Sequence, residues 1–267
     1  TTIPVILDFI APRLLEAMYE SQGTLLHESR QLLALLPRAD HFLAGNQRQA
    51  DLLLTLLLLS GMDCRDCIPV SLLPIAVSGE PAAFSPPVHE LRLVSAGVDW
   101  PWRQSADYFA VIEQWCTQHS DFNFCNIAGA YPGRADTDAE VKDISALLTH
   151  ADMQRLFNSS HIGLELGKRN TEREFSHSFR MIEYLQCGLP VIVNAWLPAA
   201  ALIRDHDAGW LVDSPEQLLQ VLQELQQDPA SVLKKAAGAR RLATGQLNYR
   251  QACQSLLDYL QAPWQPR

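Results

Sequence analysis

Phe175-Ser176-His177-Ser178-Phe179-Arg180-Met181-Ile182-Glu183-Tyr184-Leu185-Gln186-Cys187-Gly188-Leu189-Pro190-Val191-Ile192-Val193 is the stretch that decides the fold of this chain. Phe175, Phe179 and Ile182 fall at steps of four and three and form an apolar stripe, which predicts a helix over residues 176–186. Ser176 or Ser178 can cap its start, and Cys187-Gly188 can end it, because glycine accepts the left-handed residue that closes many helices. The stretch from Pro190 to Asn194 then reads as a strand. A helix that delivers the chain into such a strand is the crossover of a parallel sheet. Its start lies at the carboxyl edge, where these sheets bind ligands.

The same alternation extends in both directions. Upstream, strands are expected over 91–96, 122–127 and 162–166, with helices over 105–119, 137–148 and 152–157. Downstream come a short helix over 198–204, a strand over 210–212, and helices over 215–227, 230–243 and 249–261. Near the start, residues 5–10 and 41–45 read as strands and 11–19, 25–36 and 47–59 as helices. Two strands are too few for a sheet of ordinary size. Between 67 and 87, five prolines (Pro69, Pro74, Pro81, Pro86, Pro87) break the periodicity, and the stretch reads as an extended connection. The expected organisation is α/β: a partial α/β domain over 1–77, a linker over 78–88, and a Rossmann-like doubly wound parallel-sheet domain over 89–267.

Composition narrows the function classes. The chain has 267 residues, 48% of them hydrophobic, enough to bury a sizeable core and to exclude a disordered or collagenous chain. With 21 Lys and Arg against 30 Asp and Glu, the net charge of −9 argues against a nucleic-acid partner held by phosphate electrostatics. The longest apolar run, residues 52–59, is far too short to span a membrane, and residues 1–12 lack the features of a secretory signal, so the expected compartment is the cytoplasm. The pair Cys64 and Cys67 follows what reads as a helix exit rather than preceding a helix, and no second ligand pair accompanies it, so the six cysteines read as ordinary thiols. No histidine pair has metal-ligand spacing, and neither a nucleophile elbow nor a P-loop occurs.

Chemistry concentrates on the predicted helix. Ser176, Arg180 and Glu183 share a face, and the unpaired N–H groups of a helix start suit a phosphate. The two oxygens of Glu183 can accept from both hydroxyls of a ribose, while Arg180 can neutralise a phosphate or orient that carboxylate. The plainer alternative is a surface Arg–Glu pair of little energetic weight. His177 can reach a phosphate or sugar from the helix start, or can simply cap it. Lys168 and Arg169 read either as a diphosphate clamp or as a solvated loop of mixed charge. Lys234, Lys235, Arg240 and Arg241 can meet an anionic membrane surface peripherally, or can form a solvated helix face.

The string from Arg180 to Val193 resembles the donor-binding segment of retaining GT-B glycosyltransferases, the glycosyl transferases group 1. Asp207-Ala208-Gly209-Trp210-Leu211-Val212 resembles the strand that follows that segment. Residues 41–49 look like the last strand and helix of the family's N-terminal domain, and 71–75 like its crossover into the C-terminal one. The resemblance implies an enzyme that moves a sugar from a nucleotide diphosphate to a glycan or lipid-linked acceptor, with the nucleotide sugar as substrate and no metal or other cofactor. It places Glu183 on the donor ribose, the segment Ser176, His177 and Ser178 with Arg180 at the diphosphate, and Gly97 where a phosphate approaches the backbone. Arg103, Lys168 or Arg169 would stand in for the family's basic pair. No catalytic base is named, because that part of the site falls in the other domain. Phe175 occupies the position of a second family glutamate, and Ala199-Ala200 that of an acidic residue. A second reading is therefore a non-catalytic glycosyltransferase-like module that binds a nucleotide or a partner. A start at Thr1-Thr2 without Met is what a piece of a longer enzyme would show.

Overall fold

The computed structural model describes residues 3–9, 12–20, 24–77, 79–84, 90–130 and 149–262. In chain order they form β1 (Ile6–Asp8), α1 (Arg13–Glu16), α2 (Thr24–Leu35), β2 (His41–Ala44), α3 (Gln47–Leu59), β3 (Val70–Leu72), β4 (Leu91–Asp99), α4 (Ala106–Gln118) and β5 (Phe122–Ala130). There follow α5 (His150–Asn158), β6 (Ile162–Glu165), α6 (Thr171–Phe175), α7 (Phe179–Gln186), β7 (Val191–Asn194), α8 (Ala200–Asp205) and β8 (Gly209–Val212). The last elements are α9 (Pro215–Gln227), α10 (Ser231–Thr244), α11 (Tyr249–Ala252) and α12 (Gln254–Gln261). The helix expected over 137–148 lies outside the described residues.

By packing, the chain forms two units. The first gathers Thr1–Ala76, Asn170–His177 and Tyr249–Arg267, and the second Val77–Arg169 and Ser178–Asn248. A linear reading assigns 170–177 and the C-terminal helices to the second domain, whereas here they pack with the first.

The first unit holds a parallel sheet of order β1-β2-β3. The third strand corrects the expectation of a featureless connection after residue 67. Pro69 masks it in the sequence, yet a proline just before an edge strand costs the ladder nothing, and its carbonyl accepts from the Phe42 N–H at 2.8 Å. Phe42, Leu53, Leu57 and Leu36 build the core between this sheet and α3. The Asn46 side chain caps α3 by accepting from Gln49 N–H.

The second unit holds a parallel sheet of order β5-β4-β6-β7-β8, as a doubly wound domain requires. Strands β6 and β7 are buried along their whole length, which explains why each is apolar up to a polar last residue, Glu165 and Asn194. From β4 the chain crosses to β5 on one side, whereas β6 crosses to β7 toward the other edge. Right-handed crossovers then put α4 and α7 on opposite faces, with a switch point between the carboxyl ends of β4 and β6. Helix α9 packs with α4, and α10 with α7. The core joins Leu93, Ile112, Ile162, Leu164, Leu218 and Leu222.

The helix expected to start at Ser176 starts three residues later. Ser176 ends α6, its N–H donating to Glu172 O, and Ser178 caps α7 by accepting from Met181 N–H. The apolar stripe through Phe175, Phe179 and Ile182 runs across the break, which is why spacing alone does not reveal it. At its other end α7 closes as expected. Gly188 has φ +74, and the N–H groups of Gly188 and Leu189 return to the carbonyls of Leu185 and Tyr184.

Candidate functional site

At the switch point the second unit brings together Gly97 from β4, Glu165 from the end of β6, and Ser178 and Arg180 from the start of α7. Glu165 Oε2 accepts from Ser178 Oγ at 2.7 Å and from Arg180 Nη1 at 2.9 Å. The ion pair is nearly dry, with side-chain exposures of 14% for Arg180 and 3% for Glu165. Arg180 Nε is buried and meets no hydrogen-bond partner among the described residues. Gly97 has φ +100, in the left-handed region, and a Cβ built on it would fall 2.6 Å from both Nε and Nη2 of Arg180. The guanidinium therefore lies over the bare backbone of the β4 end, held there by Glu165.

Tyr184, one turn further along α7, is fully buried and fixes the helix against the sheet. Its hydroxyl accepts from the Ala96 N–H at 3.0 Å, just before Gly97, and burial pushes its pKa above the ordinary phenol value. Gly163 makes room for the ring, since a Cβ there would fall 2.4 Å from it. Tyr184 thus pins together the β4 end and the helix that carries Arg180 and Glu183.

Of the residues expected to form the site, the structure gathers Gly97, Ser178 and Arg180. Glu183 stands exposed one turn after Arg180 on α7, and the partner of Arg180 is Glu165 rather than Glu183. Sequence reasoning missed Glu165, which sits 15 positions from Arg180 and is joined to it only by the crossover. A carboxylate ending an otherwise apolar strand was the available signal.

Arg103 turns inward, donating to Ser95 Oγ at 2.6 Å and Ala96 O at 3.2 Å with its guanidinium over the Phe109 ring. Lys168 and Arg169 line a different pocket, together with Gln104, Tyr108, Trp196 and Asp213. In the loop after β4, Trp100 and Trp102 stack on each other with centroids 5.0 Å apart.

Ser176 and His177 belong to the first unit. There the segment is tied to the start of α3, as Asn46 Nδ2 donates to Phe175 O at 2.8 Å and Arg48 Nη1 to Glu174 O at 2.9 Å. His177 is buried, neither ring nitrogen has a partner among the described residues, and burial pushes its pKa down to about 4. Among the described residues no three His, Cys, Asp or Glu side chains gather in a way that could hold a metal ion. No helix among them is long and apolar enough to cross a membrane.

Residues 89–258 match the family described as Glycosyl transferase-like. Among solved structures, Anabaena HepE in complex with UDP and glucose shares 14% identity over 96% of this chain and 71% of its own, with a TM-score of 0.67. Sucrose-phosphate synthase from Thermosynechococcus elongatus shares 16% identity over 98% of this chain and 68% of its own, also at 0.67. S. aureus TarM with UDP shares 10% identity over 88% of this chain and 47% of its own, at 0.63. At these identities the likeness is one of fold. No curated protein matches the chain by sequence.

Proposed function

The chain belongs to the glycosyl transferase-like family, and on that footing we propose that it transfers a sugar from a nucleotide diphosphate donor to a glycan or lipid-linked acceptor, with retention at the anomeric carbon. The observation that carries the donor reading is Arg180 held over Gly97 at the switch point, with a buried Nε left unpartnered among the described residues. A buried, oriented guanidinium beside bare backbone is what a diphosphate oxygen needs, and stabilising the departing diphosphate is the main electrostatic task of such a transfer. Glu183 stands exposed one turn further along the same helix, where its carboxylate can accept from both ribose hydroxyls. Glu165 holds the arginine in place, and Ser178 donates to the same Glu165 oxygen. HepE and TarM, with the same fold, carry UDP in their solved complexes. The donor site so drawn leaves out Ser176 and His177, which pack with the first unit, the inward-turned Arg103, and Lys168 and Arg169. The retaining outcome and the acceptor classes rest on the sequence resemblance over 180–193.

Thermal-shift titration with UDP, GDP, ADP and dTDP tests this reading. At least one nucleotide is expected to raise the melting temperature of the wild type and to lose that effect in Glu183→Ala, an exposed change that leaves basal stability within about 0.5 kcal/mol. A flat response to all four defeats the donor reading.

Phe175 in the position of a family glutamate favours a second reading, a nucleotide-binding module without transfer. Nucleotide stabilisation without hydrolysis or transfer of any nucleotide sugar would favour it.

A further inference from the structure

A second pocket opens on the carboxyl edge of the second unit's sheet, on the side of α4 and α9. Its volume of about 530 Å³ lies within the range of small-molecule sites. Its floor is fixed by Asn194, which is fully buried. Asn194 Oδ1 accepts from the Gly167 N–H at 2.8 Å, and Nδ2 donates to Val212 O at 3.2 Å and Tyr108 Oη at 2.9 Å. The backbone donor at Gly167 and the carbonyl at Val212 leave the amide only one orientation. Tyr108 Oη is therefore an acceptor toward Asn194, and its own proton meets no acceptor among the described residues. Burial holds that phenol protonated by raising its pKa. The rim is tied as well, because Lys168 N–H donates to Gln104 O at 3.0 Å.

The lining says what would fit. Trp196 and Pro215 supply a ring face and an apolar wall. Asp107 and Asp213 bring carboxylates able to accept in pairs from neighbouring hydroxyls, and Lys168 and Arg169 bring donors, while the Gln104 amide already donates to Pro101 O at 3.2 Å. Two carboxylates and two cations give the described lining no net charge, so its charge balance singles out neither a phosphate nor a cationic ligand. A neutral polyol with one apolar face suits a ring face surrounded by mixed donors and acceptors.

We propose that this pocket binds a neutral sugar residue of a glycan, at a subsite separate from the Gly97–Arg180 donor site. Trp196 stacks on the sugar, Tyr108 donates to it, and Asp107 and Asp213 accept from its hydroxyls. The assignment rests on this pocket's own residues and does not require the donor reading.

Saturation-transfer NMR on the chain, with maltotriose, cellotriose, xylotriose and chitotriose as probes and sodium phosphate as the anionic control, tests it. At least one trisaccharide is expected to bind, with the signal retained at millimolar UDP. Trp196→Ala, at a half-buried position, and Asp213→Asn, at an exposed one, should each weaken binding about tenfold, with Asp213→Asn keeping the wild-type melting temperature. The assignment is overturned if no trisaccharide binds, if UDP displaces the sugar, if neither variant weakens binding, or if phosphate competes. Failure of the nucleotide thermal shift would remove the donor reading and leave this one standing.

Discussion

Gly97 and Arg180 hold their places only together, since a Cβ on residue 97 would fall 2.6 Å from the guanidinium that Glu165 pins over it. Gly97→Ala therefore meets two penalties, a left-handed backbone unfavourable to alanine by about 1–2 kcal/mol and a clash with a side chain that is not free to withdraw. We expect a destabilisation of about 2–3 kcal/mol by urea denaturation, together with loss of any nucleotide-induced thermal shift. A variant as stable as the wild type would mean that the guanidinium is loosely held.

Ser178 Oγ and Arg180 Nη1 donate to the same oxygen of Glu165, so their contributions are coupled. Arg180→Gln breaks a nearly dry ion pair and should cost about 3–5 kcal/mol. Ser178→Ala removes both a helix cap and a hydrogen bond to a carboxylate, worth together about 2–3 kcal/mol. The double-mutant cycle should show an interaction energy above about 0.5 kcal/mol, and strict additivity would separate the two roles.

How far the sequence carries the reader can be judged from these same residues. The alternation of apolar strands and striped helices made the parallel sheet and its ligand-binding carboxyl edge legible, because burial on both faces leaves β6 and β7 apolar up to their last residues, while the strand order that makes the switch point was not. Ser178 was one of two candidate caps, Gly97 came from the family resemblance, and Gly188 announced itself through backbone chemistry. The break at 176–178 did not, since a stripe at helical spacing continues across it. Nor did β3, a three-residue edge strand behind a proline. The partner of Arg180 was misplaced for a different reason. Spacing reports neighbours on one helix, and Glu183 is such a neighbour, but Glu165 meets Arg180 only once the crossover is folded. The carboxylate was visible, and the contact was not.

Tyr184 and Gly163 form a matched pair whose loss should be asymmetric. In Gly163→Ala the new methyl falls 2.4 Å from a fully buried ring that itself holds the β4 end through Ala96. Overpacking of this kind should cost about 3 kcal/mol, at the upper end of its usual range. Tyr184→Phe keeps the packing and loses one hydrogen bond, at about 1 kcal/mol. Melting temperatures of the two variants should rank in that order, and the reverse ranking would show that the hydroxyl matters more than the fit of the ring.

Cys187, at the end of α7, is buried, and burial pushes its thiol pKa up to about 11, with Glu183 adding to the shift. At pH 8 only about one molecule in a thousand would carry the thiolate that reacts. Under native conditions Ellman's reagent should therefore modify the exposed Cys67 early and Cys187 last, with Cys187 reacting at an ordinary rate only after unfolding. Early labelling of Cys187, mapped by mass spectrometry, would contradict its burial.

His177 couples the fold to pH in a direction opposite to that of a histidine held by a carboxylate. Its folded pKa is pushed down to about 4, below the ordinary value of 6.5, because burial disfavours the charged ring and no partner among the described residues offsets it. Above pH 6.5 the ring is neutral folded or unfolded and contributes no pH dependence. Between 6.5 and 4 the unfolded chain takes up a proton that the folded chain refuses, so stability falls with acidification, by roughly 3 kcal/mol on reaching pH 4. His177→Gln cannot titrate, so urea midpoints of wild type and variant should run parallel above pH 6.5, with the wild type dropping further below it. Curves that stay parallel down to pH 4 would mean that the folded protein protonates this ring freely, and that the imidazole is not enclosed as its two unpartnered nitrogens indicate.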